Sequence, residues 1–266
     1  MRKQVFIALA VVLVALISVA VWQLLRSQVR EPVYQGKTLS NWLERYSAKG
    51  SYIGLRPEPV ADEAVRQIGT NSIPTLLHKL RAHDSKLKLA LLRLSDEQHF
   101  IRFWSLPAFF PTRQAAVAFH ALGAQASNAV PFLIQTYREK IGSDSQCGCA
   151  EALGWIGPAA SEAIPDLVSA ATNSDHTLRW VAVAALAHLH TETKLVLPVL
   201  VAALRDPDPV VRKHAVWTLE GLGAEAKLAV PTLTQSLVDS NSFMSTDVSN
   251  ALKAIDPEAA AKAGVK

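Results

Sequence analysis

The sequence predicts an all-α solenoid of five to six helix pairs, wound as a right-handed superhelix after an N-terminal transmembrane helix. Three observations predict this architecture. A charge-free apolar run covers residues 4–25, a phrase of about 33 residues recurs along the chain, and apolar positions within each repeat follow the period of a helix. With 50% hydrophobic residues the chain can bury a sizeable core, which excludes a disordered protein.

The N-terminal run is long enough to cross a bilayer. Residues 4–25 carry no charge and are flanked by basic residues on both sides. At ~1.5 Å per residue, a helix of this length spans the roughly 30 Å hydrocarbon core. A cleaved signal peptide is the alternative, because Ser18 and Ala20 are small enough for cleavage after Ala20, although the apolar run continues beyond that point. We therefore assign 1–26 to a transmembrane anchor or signal segment, with residues 5–25 in the bilayer.

The distribution of charged residues hardly decides the membrane orientation, but it distinguishes a basic half of the chain from an acidic half. Basic residues flank the anchor on both sides, so the positive-inside rule is nearly undecided, and the short basic start favours export. Residues 26–140 carry 16 basic and 9 acidic side chains, whereas 141–266 carry 9 and 14. The basic half is either an ordinary solvated surface or a region that attracts anionic lipid headgroups or an acidic partner. We expect a single-pass protein of the cell membrane with its repeats on the extracytoplasmic, periplasmic side.

Columns of equivalent residues define the repeat. The proline column is spaced by 34, 33 and 33 residues, and a column of large apolar residues has the same spacing. The members of the two columns are Pro131, Pro165, Pro198 and Pro231, and Leu122, Ile156, Leu189, Leu222 and Ile255. A further column holds small residues, and Cys149 stands in it, which predicts a buried thiol. Cys147 is expected to be more exposed, and its position two residues away on a helix argues against a disulfide.

Each repeat predicts two helices. In the first helix, Val211, Ala215 and Leu219 fall on one face of a 3.6-residue period. This helix is predicted to end at a column dominated by glycine, where a left-handed residue terminates it and where His190 and Asp256 replace glycine in two units. The second helix begins near the proline column, since proline is tolerated in a first turn. Such pairs cannot bury their apolar faces alone, so successive pairs must stack.

The segment LRDPDPVVRKHAVWTLEGLGAEAKLAVPTL resembles the HEAT-like repeat, including the group named for its similarity to phycocyanobilin lyases. The resemblance covers about residues 58–256 and implies an armadillo-like superhelix that binds proteins. It also implies that loop aspartates and helix arginines bond within or between layers, here Asp175 with Arg179 and Asp208 with Arg212. Together with its anchor and leader, the chain looks like bacterial membrane-anchored HEAT-repeat proteins.

A cap is predicted between the anchor and the repeats. Residues 27–57 are assigned to a juxtamembrane linker and this cap, because a solenoid needs a cover for its apolar end. Thr38 or Ser40 is expected to cap a short helix at its N-terminus. Trp42 and Leu43 are expected to anchor that helix against the first repeat.

An insert interrupts the solenoid of residues 58–266 at about 84–111. It is rich in aromatic residues, namely Phe100, Phe103, Trp104, Phe109 and Phe110. Basic residues surround them, namely Lys86, Lys88, Arg93 and Arg102. The insert is either a segment folded over the first two layers or an exposed patch suited to a protein partner or to the membrane interface.

No motif indicates catalysis or a bound cofactor. The sequence lacks the HExxH, GxSxG, GxGxxG and phosphate-loop patterns, and none of its eight histidines precedes a glutamate. We therefore interpret the chain as non-enzymatic, with no catalytic residue, no metal and no cofactor. A nucleic-acid partner is not expected either, because the chain is predicted to be exported and its distal half is acidic.

These observations predict a non-enzymatic protein-interaction scaffold or adaptor tethered to a membrane, with a protein partner of unknown identity. The candidate partner-binding residues are the five aromatic residues of the insert together with Lys79, Arg81, Lys86, Lys88, Tyr137 and Arg138. Those at 79, 81, 137 and 138 lie on second helices, which are expected to line the concave side. The alternative, implied by the repeat resemblance, is a small-molecule or pigment-binding protein of the phycobilin-lyase type that uses the same basic residues.

Overall fold

Helices follow one another in pairs along the repeat region, and successive pairs stack so that each contacts mainly its neighbours. This arrangement confirms the predicted all-α solenoid. The segment assigned to the membrane lies outside the part of the chain that the structure, a computed structural model, describes. The described residues are 30–46, 57–85, 88, 107–189, 193–239 and 244–265.

Each unit contributes a first and a second helix, labelled in chain order after the short helix α1 (Leu39–Leu43) of the cap. The first helices are α2 (Pro59–Ile68), α4 (Phe109–Leu122), α6 (Ser143–Ile156), α8 (His176–Leu189), α10 (Pro209–Leu222) and α12 (Ser245–Ile255). The second helices are α3 (Ile73–Leu80), α5 (Val130–Arg138), α7 (Ile164–Ala170), α9 (Thr193–Ala203), α11 (Val230–Asp239) and α13 (Pro257–Lys262).

Glycine turns end the first helices of four units, as the sequence predicts. Gly69, Gly123, Gly157 and Gly223 have φ values of +61°, +50°, +76° and +54°. Glycine enters this half of backbone space without a steric penalty. A short 3-10 helix follows each glycine and leads into a second helix with proline in its first turn.

The glycine column has a different ending in the last unit. Asp256 has a φ of −152°, which is extended rather than left-handed. Its carboxylate accepts the backbone N–H of Ala259 at 3.0 Å and so caps α13. The expectation of a left-handed residue at Asp256 is therefore wrong, because the side chain provides the turn through capping. His190, the other substitute in this column, lies outside the described residues.

The first helices form one row and the second helices another. Neighbouring first helices pack directly against each other, whereas a second helix mainly contacts the first helix of the next unit. A Cβ added at Gly154 would lie 2.8 Å from the Cα of Ala185, so α6 and α8 approach at their backbones there. One hydrophobic core runs between the rows, from Leu39 in the cap to Ala260 in the last helix.

A two-stranded hairpin opens the cap. Strands β1 (Val33–Tyr34) and β2 (Lys37–Thr38) pair antiparallel, and Gln35 and Gly36 join them with φ values of +48° and +73°. Two positive φ values define the primed turn that suits the twist of a hairpin. Thr38 then caps α1, since its side chain accepts the backbone N–H of Asn41. Of the two candidate caps, Thr38 is the one that the structure shows.

The cap covers the first repeat with buried side chains. Trp42 and Leu43 are 5% and 0% exposed, as expected for anchors. The Trp42 indole N–H donates to the carbonyl oxygen of Tyr34 at 3.1 Å, which ties the helix to the hairpin. The Tyr46 hydroxyl donates to Asp62 Oδ1 at 2.7 Å, and burial together with this carboxylate raises the pKa of Tyr46. The cap is thus joined to α2 by a buried hydrogen bond as well as by apolar contact.

The end of the insert is part of a core helix. Phe109 and Phe110 form the first turn of α4, and Asp84 accepts the N–H of Ala108 at 3.0 Å just before it. The helical stretch Phe109–Arg138 is apolar and long enough to cross a membrane by length and composition. It consists of α4, a 3-10 turn and α5, and its apolar side chains are largely buried in the solenoid. The apolar composition of this stretch is therefore accounted for by its burial in the centre of the solenoid.

Loop aspartates and helix arginines do bond, but with partners other than those the resemblance implies. Arg179 Nε and Nη2 donate to the two carboxylate oxygens of Asp206, in the next loop, at 2.8 and 2.9 Å. Arg212 donates to the carbonyl oxygens of Asp206 and Pro207 instead of to the carboxylate of Asp208. Asp208 caps α10 by accepting the N–H of Val210. Asp175 and Asp208 therefore serve as caps before α8 and α10, and the arginine of each helix reaches the loop.

Candidate functional site

The aromatic insert contributes few side chains to the described structure. Phe100, Phe103, Trp104 and Lys86 lie outside the described residues. Phe109 and Phe110 are half-buried, and their rings meet edge to face with centroids 5.6 Å apart. Lys88 pairs with Asp84 at 2.6 Å. The structure therefore places Phe109 and Phe110 in the first turn of α4. The partner contact expected of the aromatic insert stays a prediction.

The basic residues predicted on the second helices bond to the adjacent layer. Arg81 on the loop after α3 donates to Thr136 Oγ1 at 3.3 Å and to the carboxylate of Glu139. Arg138 forms a two-pronged pair with Asp166, with N–O distances of 3.1 and 2.8 Å. Tyr137 is buried, and Lys79 is half-exposed. Arg81 and Arg138 thus link successive units along the second-helix row.

A groove instead opens along the first-helix row, across α6, α8 and α10, with a volume of about 390 Å³. Small residues such as Ala184 and Ala185 line it and leave room between larger rings. Three indoles, two imidazoles and one carboxylate complete much of the lining, namely Trp155, Trp180, Trp217, His188, His214 and Glu151. The groove thus lies on the first-helix row, whereas the basic residues Lys79 and Arg138, which the sequence assigned to binding, lie on the second-helix row.

Rings from successive layers pack against each other in this groove. Trp155 of α6 lies between His120 of α4 and His188 of α8, with centroid distances of 4.7 Å to each. Trp180 of α8 stacks on His214 of α10 at 4.9 Å. These separations are those of favourable aromatic pairs. The rings therefore form two short ladders across the layers.

The surroundings of His214, at the centre of the second ladder, favour its neutral form. Its ring also meets Trp217 edge to face, with centroids 5.3 Å apart. Burial, and then the charge of Lys213, lower the pKa of His214 below its ordinary 6.5. A neutral imidazole between two indoles presents an aromatic surface without a charge.

A buried ion pair lies beside the groove. Arg113 Nη1 and Glu151 Oε2 are 2.8 Å apart, with 9% and 15% of their side chains exposed. The contact lacks the angles of a hydrogen bond, since Glu151 Oε2 has no hydrogen-bond partner by geometry. Burial raises the pKa of Glu151, while the Arg113 guanidinium opposes that rise. Glu151 is thus committed to Arg113 and is not a free carboxylate of the lining.

The two cysteines are both buried, which corrects the expectation that Cys147 is exposed. Cys147 is 4% exposed and Cys149 is fully buried. Both are free thiols, and burial raises the pKa of each to about 12. A thiol with so high a pKa is a poor nucleophile at neutral pH. Between the two cysteines, a Cβ added at Gly148 would lie 2.8 Å from Leu80 Cδ2, so α6 packs closely on the preceding units there.

Comparison with known families places the repeats. Residues 197–263 match the family model described as HEAT repeats. A helix pair recurs from Pro59 onward in the structure, with the same glycine turn in four of the units. We refer to this stack of helix pairs, which is similar to HEAT repeats over residues 197–263, as the HEAT-like array. The matched residues cover the last two units.

Two solved structures resemble the HEAT-like array as a whole. A designed armadillo repeat protein in complex with the peptide (KR)4 is 14% identical, with a TM-score of 0.47 over 83% of this chain and 100% of that one. A second engineered protein is 18% identical, with a TM-score of 0.44 over 85% of this chain and 97% of the other. No curated protein matches the chain significantly. Likeness at this level carries no information on what the HEAT-like array binds.

Sequence analysis did not find the groove of the HEAT-like array. Three of the six tryptophans stand on successive first helices, which is a signal that the sequence contains. They occupy three different positions within the repeat, so no column of equivalent residues connects Trp155, Trp180 and Trp217. Among the described residues, no cluster of three His, Cys, Asp or Glu side chains could hold a metal ion. The arrangement can desolvate an apolar or aromatic group.

Proposed function

We propose that the chain is a non-enzymatic protein-interaction scaffold that binds a partner in the groove of its first-helix row. The observation that carries this proposal is the aromatic lining contributed by Trp155, Trp180 and Trp217. Indoles supply a large contact area at a low cost in conformational entropy, and they are enriched at the energetic centres of interfaces. The proposed partner is a protein.

The exposure of the groove supports a macromolecular partner. Trp217 is 44% exposed, which is unusual for so large an apolar side chain and leaves one wall open. A site for a free small molecule commonly encloses most of the ligand surface. An open slot suits one side chain projecting from a larger molecule. The pigment-lyase alternative gains nothing from the described residues, because Arg81 and Arg138 are paired with neighbouring layers.

We further propose that the scaffold is held at the cell membrane by residues 4–25, with the repeats on the extracytoplasmic side. The support for the tether is the uncharged apolar run between basic flanks. The basic half at 26–140 would lie nearer the anchor and suits contact with anionic headgroups. A right-handed superhelix, and membership of the phycocyanobilin-lyase-like repeat group, belong to the same proposal and rest on the repeat sequence.

Site-specific photo-crosslinking in cells tests the binding face. A benzophenone amino acid at position 217 places the reactive group at the groove, and the same amino acid at position 228 places it on a turn where Leu228 is 62% exposed. We expect one protein to be captured in high yield from position 217 and not from position 228. Equal capture from both positions, or capture of a small molecule alone at 217, would contradict the proposal.

Membrane fractionation tests the tether. We expect the full chain to stay with membranes after an alkaline wash and a variant lacking residues 1–26 to be released. Protease added to intact cells or to permeabilised envelopes then reports the side on which the repeats lie. Release of the full chain by alkali would show that residues 4–25 do not span the bilayer.

A further inference from the structure

The chemistry of the groove lining restricts what it accepts, if the groove is the binding face that the proposed function requires. Two cations of the chain itself already lie over two of the three indoles. Lys213 Nζ is 4.7 Å from the ring centroid of Trp217, and Arg113 Cζ is 5.6 Å from that of Trp180. These are the positions at which a cation gains most from an indole. Arg113 pairs with Glu151, and Lys213 Nζ lies 3.9 Å from Asp247 Oδ2, so both cations already have carboxylate partners. A cationic side chain from a partner would find these two ring faces occupied.

No carboxylate in the described lining is available to pair with a cationic side chain of a partner. Glu151 is the one acidic residue among the described lining side chains, and it lies 2.8 Å from Arg113. Removing it from Arg113 to pair with a ligand would leave a buried guanidinium uncompensated. The groove therefore disfavours lysine and arginine side chains. An anionic side chain is disfavoured as well, because most of the lining is indole, imidazole and methyl groups that cannot solvate it.

The remaining surfaces match an uncharged aromatic ring. The neutral ring of His214 and the edges of the indoles offer the edge-to-face and offset-stacked partners that aromatic groups prefer. The volume of about 390 Å³ holds a side chain as large as an indole with part of its backbone. An aliphatic side chain would fill the space but would lack the additional ring–ring attraction.

We infer that the groove is a docking site for a tryptophan, tyrosine or phenylalanine side chain presented by a polypeptide partner. The aromatic ring enters beside Ala184 and packs against the rings of His214 and Trp217, and the partner backbone remains outside at the open side of the groove. Specificity comes from ring packing with His214 and from the lack of an available carboxylate in the described lining. This inference rests on the proposed function and names the chemistry of its partner.

Selection from a phage-displayed library of random 12-residue peptides tests the inference on the full chain in detergent micelles. Ala184→Phe fills the groove with a larger side chain. Trp217→Ala removes the indole at the open side of the groove, and the fold should tolerate this change because the side chain is already 44% exposed. Leu228→Ala is the matched control, because it shortens an exposed apolar side chain on a turn. Circular dichroism establishes that each variant is folded before selected peptides are titrated against it.

We expect the selected peptides to share one aromatic position and to bind Trp217→Ala about tenfold or more weakly than the unaltered chain. Leu228→Ala should bind them unchanged, and replacing the shared aromatic residue by alanine should abolish binding. Groove-dependent peptides rich in lysine, arginine or aliphatic residues would overturn this inference and leave the scaffold proposal standing. Aromatic peptides indifferent to both groove variants, or no selected peptide at all, would also overturn it, whereas the scaffold proposal is decided separately by crosslinking at position 217.

Discussion

Single residues beside the groove illustrate how this chain holds charge within an apolar wall. Arg113 and Glu151 neutralise each other where water has little access, and Lys213 lies over Trp217 and 3.9 Å from Asp247 Oδ2. Pairing removes much of the penalty of burying two charges but seldom makes the pair better than apolar packing. The stability of this region therefore depends on keeping both partners of the pair.

Glu151→Ala is expected to destabilise the fold by roughly 3 kcal/mol, because it leaves the Arg113 guanidinium buried without a partner. The double variant Arg113→Met with Glu151→Leu should recover most of this loss, since it replaces the pair by apolar groups of similar size. Urea unfolding followed by circular dichroism measures both changes. A double variant as unstable as Glu151→Ala would show that the pair, and not the uncompensated charge, supplies the stability.

The pKa of His214 predicts a pH dependence with a defined sign. Burial, followed by Lys213, lowers this pKa in the folded chain below the value of 6.5 for an unperturbed histidine. The unfolded chain then binds the proton more readily, so stability is full above about pH 6.5 and decreases as the pH falls below it. We expect the free energy of unfolding to fall less between pH 7.5 and 5.5 in His214→Gln than in the unaltered chain. Chemical denaturation at the two pH values measures this fall. An equal fall in the free energy of unfolding in His214→Gln and in the unaltered chain would contradict the lowered pKa.

At the level of helices, two glycines in first helices have different reasons to be glycine. Gly154 of α6 lets the backbone of α8 approach, whereas Gly221 of α10 faces open space with no atom within 4 Å of an added Cβ. Gly221 stands 33 residues after His188, and His188 stands 33 after Trp155, so it continues their row without a side chain. A helical glycine without a packing partner costs stability relative to alanine.

Alanine substitution at these two glycines should have opposite effects. Gly154→Ala is expected to destabilise, because its Cβ would lie 2.8 Å from the Ala185 backbone and force the two helices apart. Gly221→Ala is expected to stabilise by up to about 1 kcal/mol through reduced backbone entropy of the unfolded chain. Thermal melting of the two variants, side by side, measures the difference. Equal destabilisation by both would mean that helix spacing is not set at Gly154.

The arginine that joins successive loops should not tolerate lysine. Arg179 donates two hydrogen bonds to Asp206 and two more to the carbonyl oxygens of Asn173 and Ser174. Lysine lacks this planar set of donors, so Arg179→Lys is expected to cost roughly 1–2 kcal/mol. Arg205→Lys is the control, since the Arg205 guanidinium donates one 3.3 Å hydrogen bond to Thr232. The expectation fails if the two variants unfold at the same urea concentration.

Over the whole molecule, stability arises from the stacking of layers. The buried residues form one cluster from the cap to the last helix, and each unit is stabilised mainly by its neighbours. A charge placed between layers therefore acts on two units at once. The same substitution at an exposed leucine, which lies outside the layer contacts, provides the comparison.

Leu219→Asp places a carboxylate at a fully buried position and should cost roughly 3 kcal/mol or more. Leu195→Asp changes a leucine that is 44% exposed and should alter stability by less than about 0.5 kcal/mol. Because repeats can unfold separately, the Leu219→Asp variant should show a broadened or two-step unfolding transition. An unchanged melting curve would mean that the column containing Leu219 is not core.

Local chemistry accounts for what the sequence predicts well. The repeat period, the glycine turns at Gly69, Gly123, Gly157 and Gly223, and the Thr38 cap depend on residues close together in the chain. Their consequences can be read without knowing which layer lies next to which. The partners of long polar side chains cannot be predicted in this way. The Arg179 guanidinium bonds to the carboxylate of Asp206 rather than to that of Asp175, which is nearer in sequence, because the two stacked loops lie at the right separation.

The sequence thus determined a stack of helix pairs with a capped end, since hydrophobic period and turn chemistry are properties of neighbouring residues. Only the tertiary structure decided that the groove lies on the first-helix row and that Arg81 and Arg138 bond to adjacent layers. Trp155, Trp180 and Trp217 occupy unrelated positions in the repeat, so their meeting depends on the offset with which one helix packs on the next. That offset is set by small residues at close contacts such as Gly154 with Ala185, which act across layers rather than along the chain.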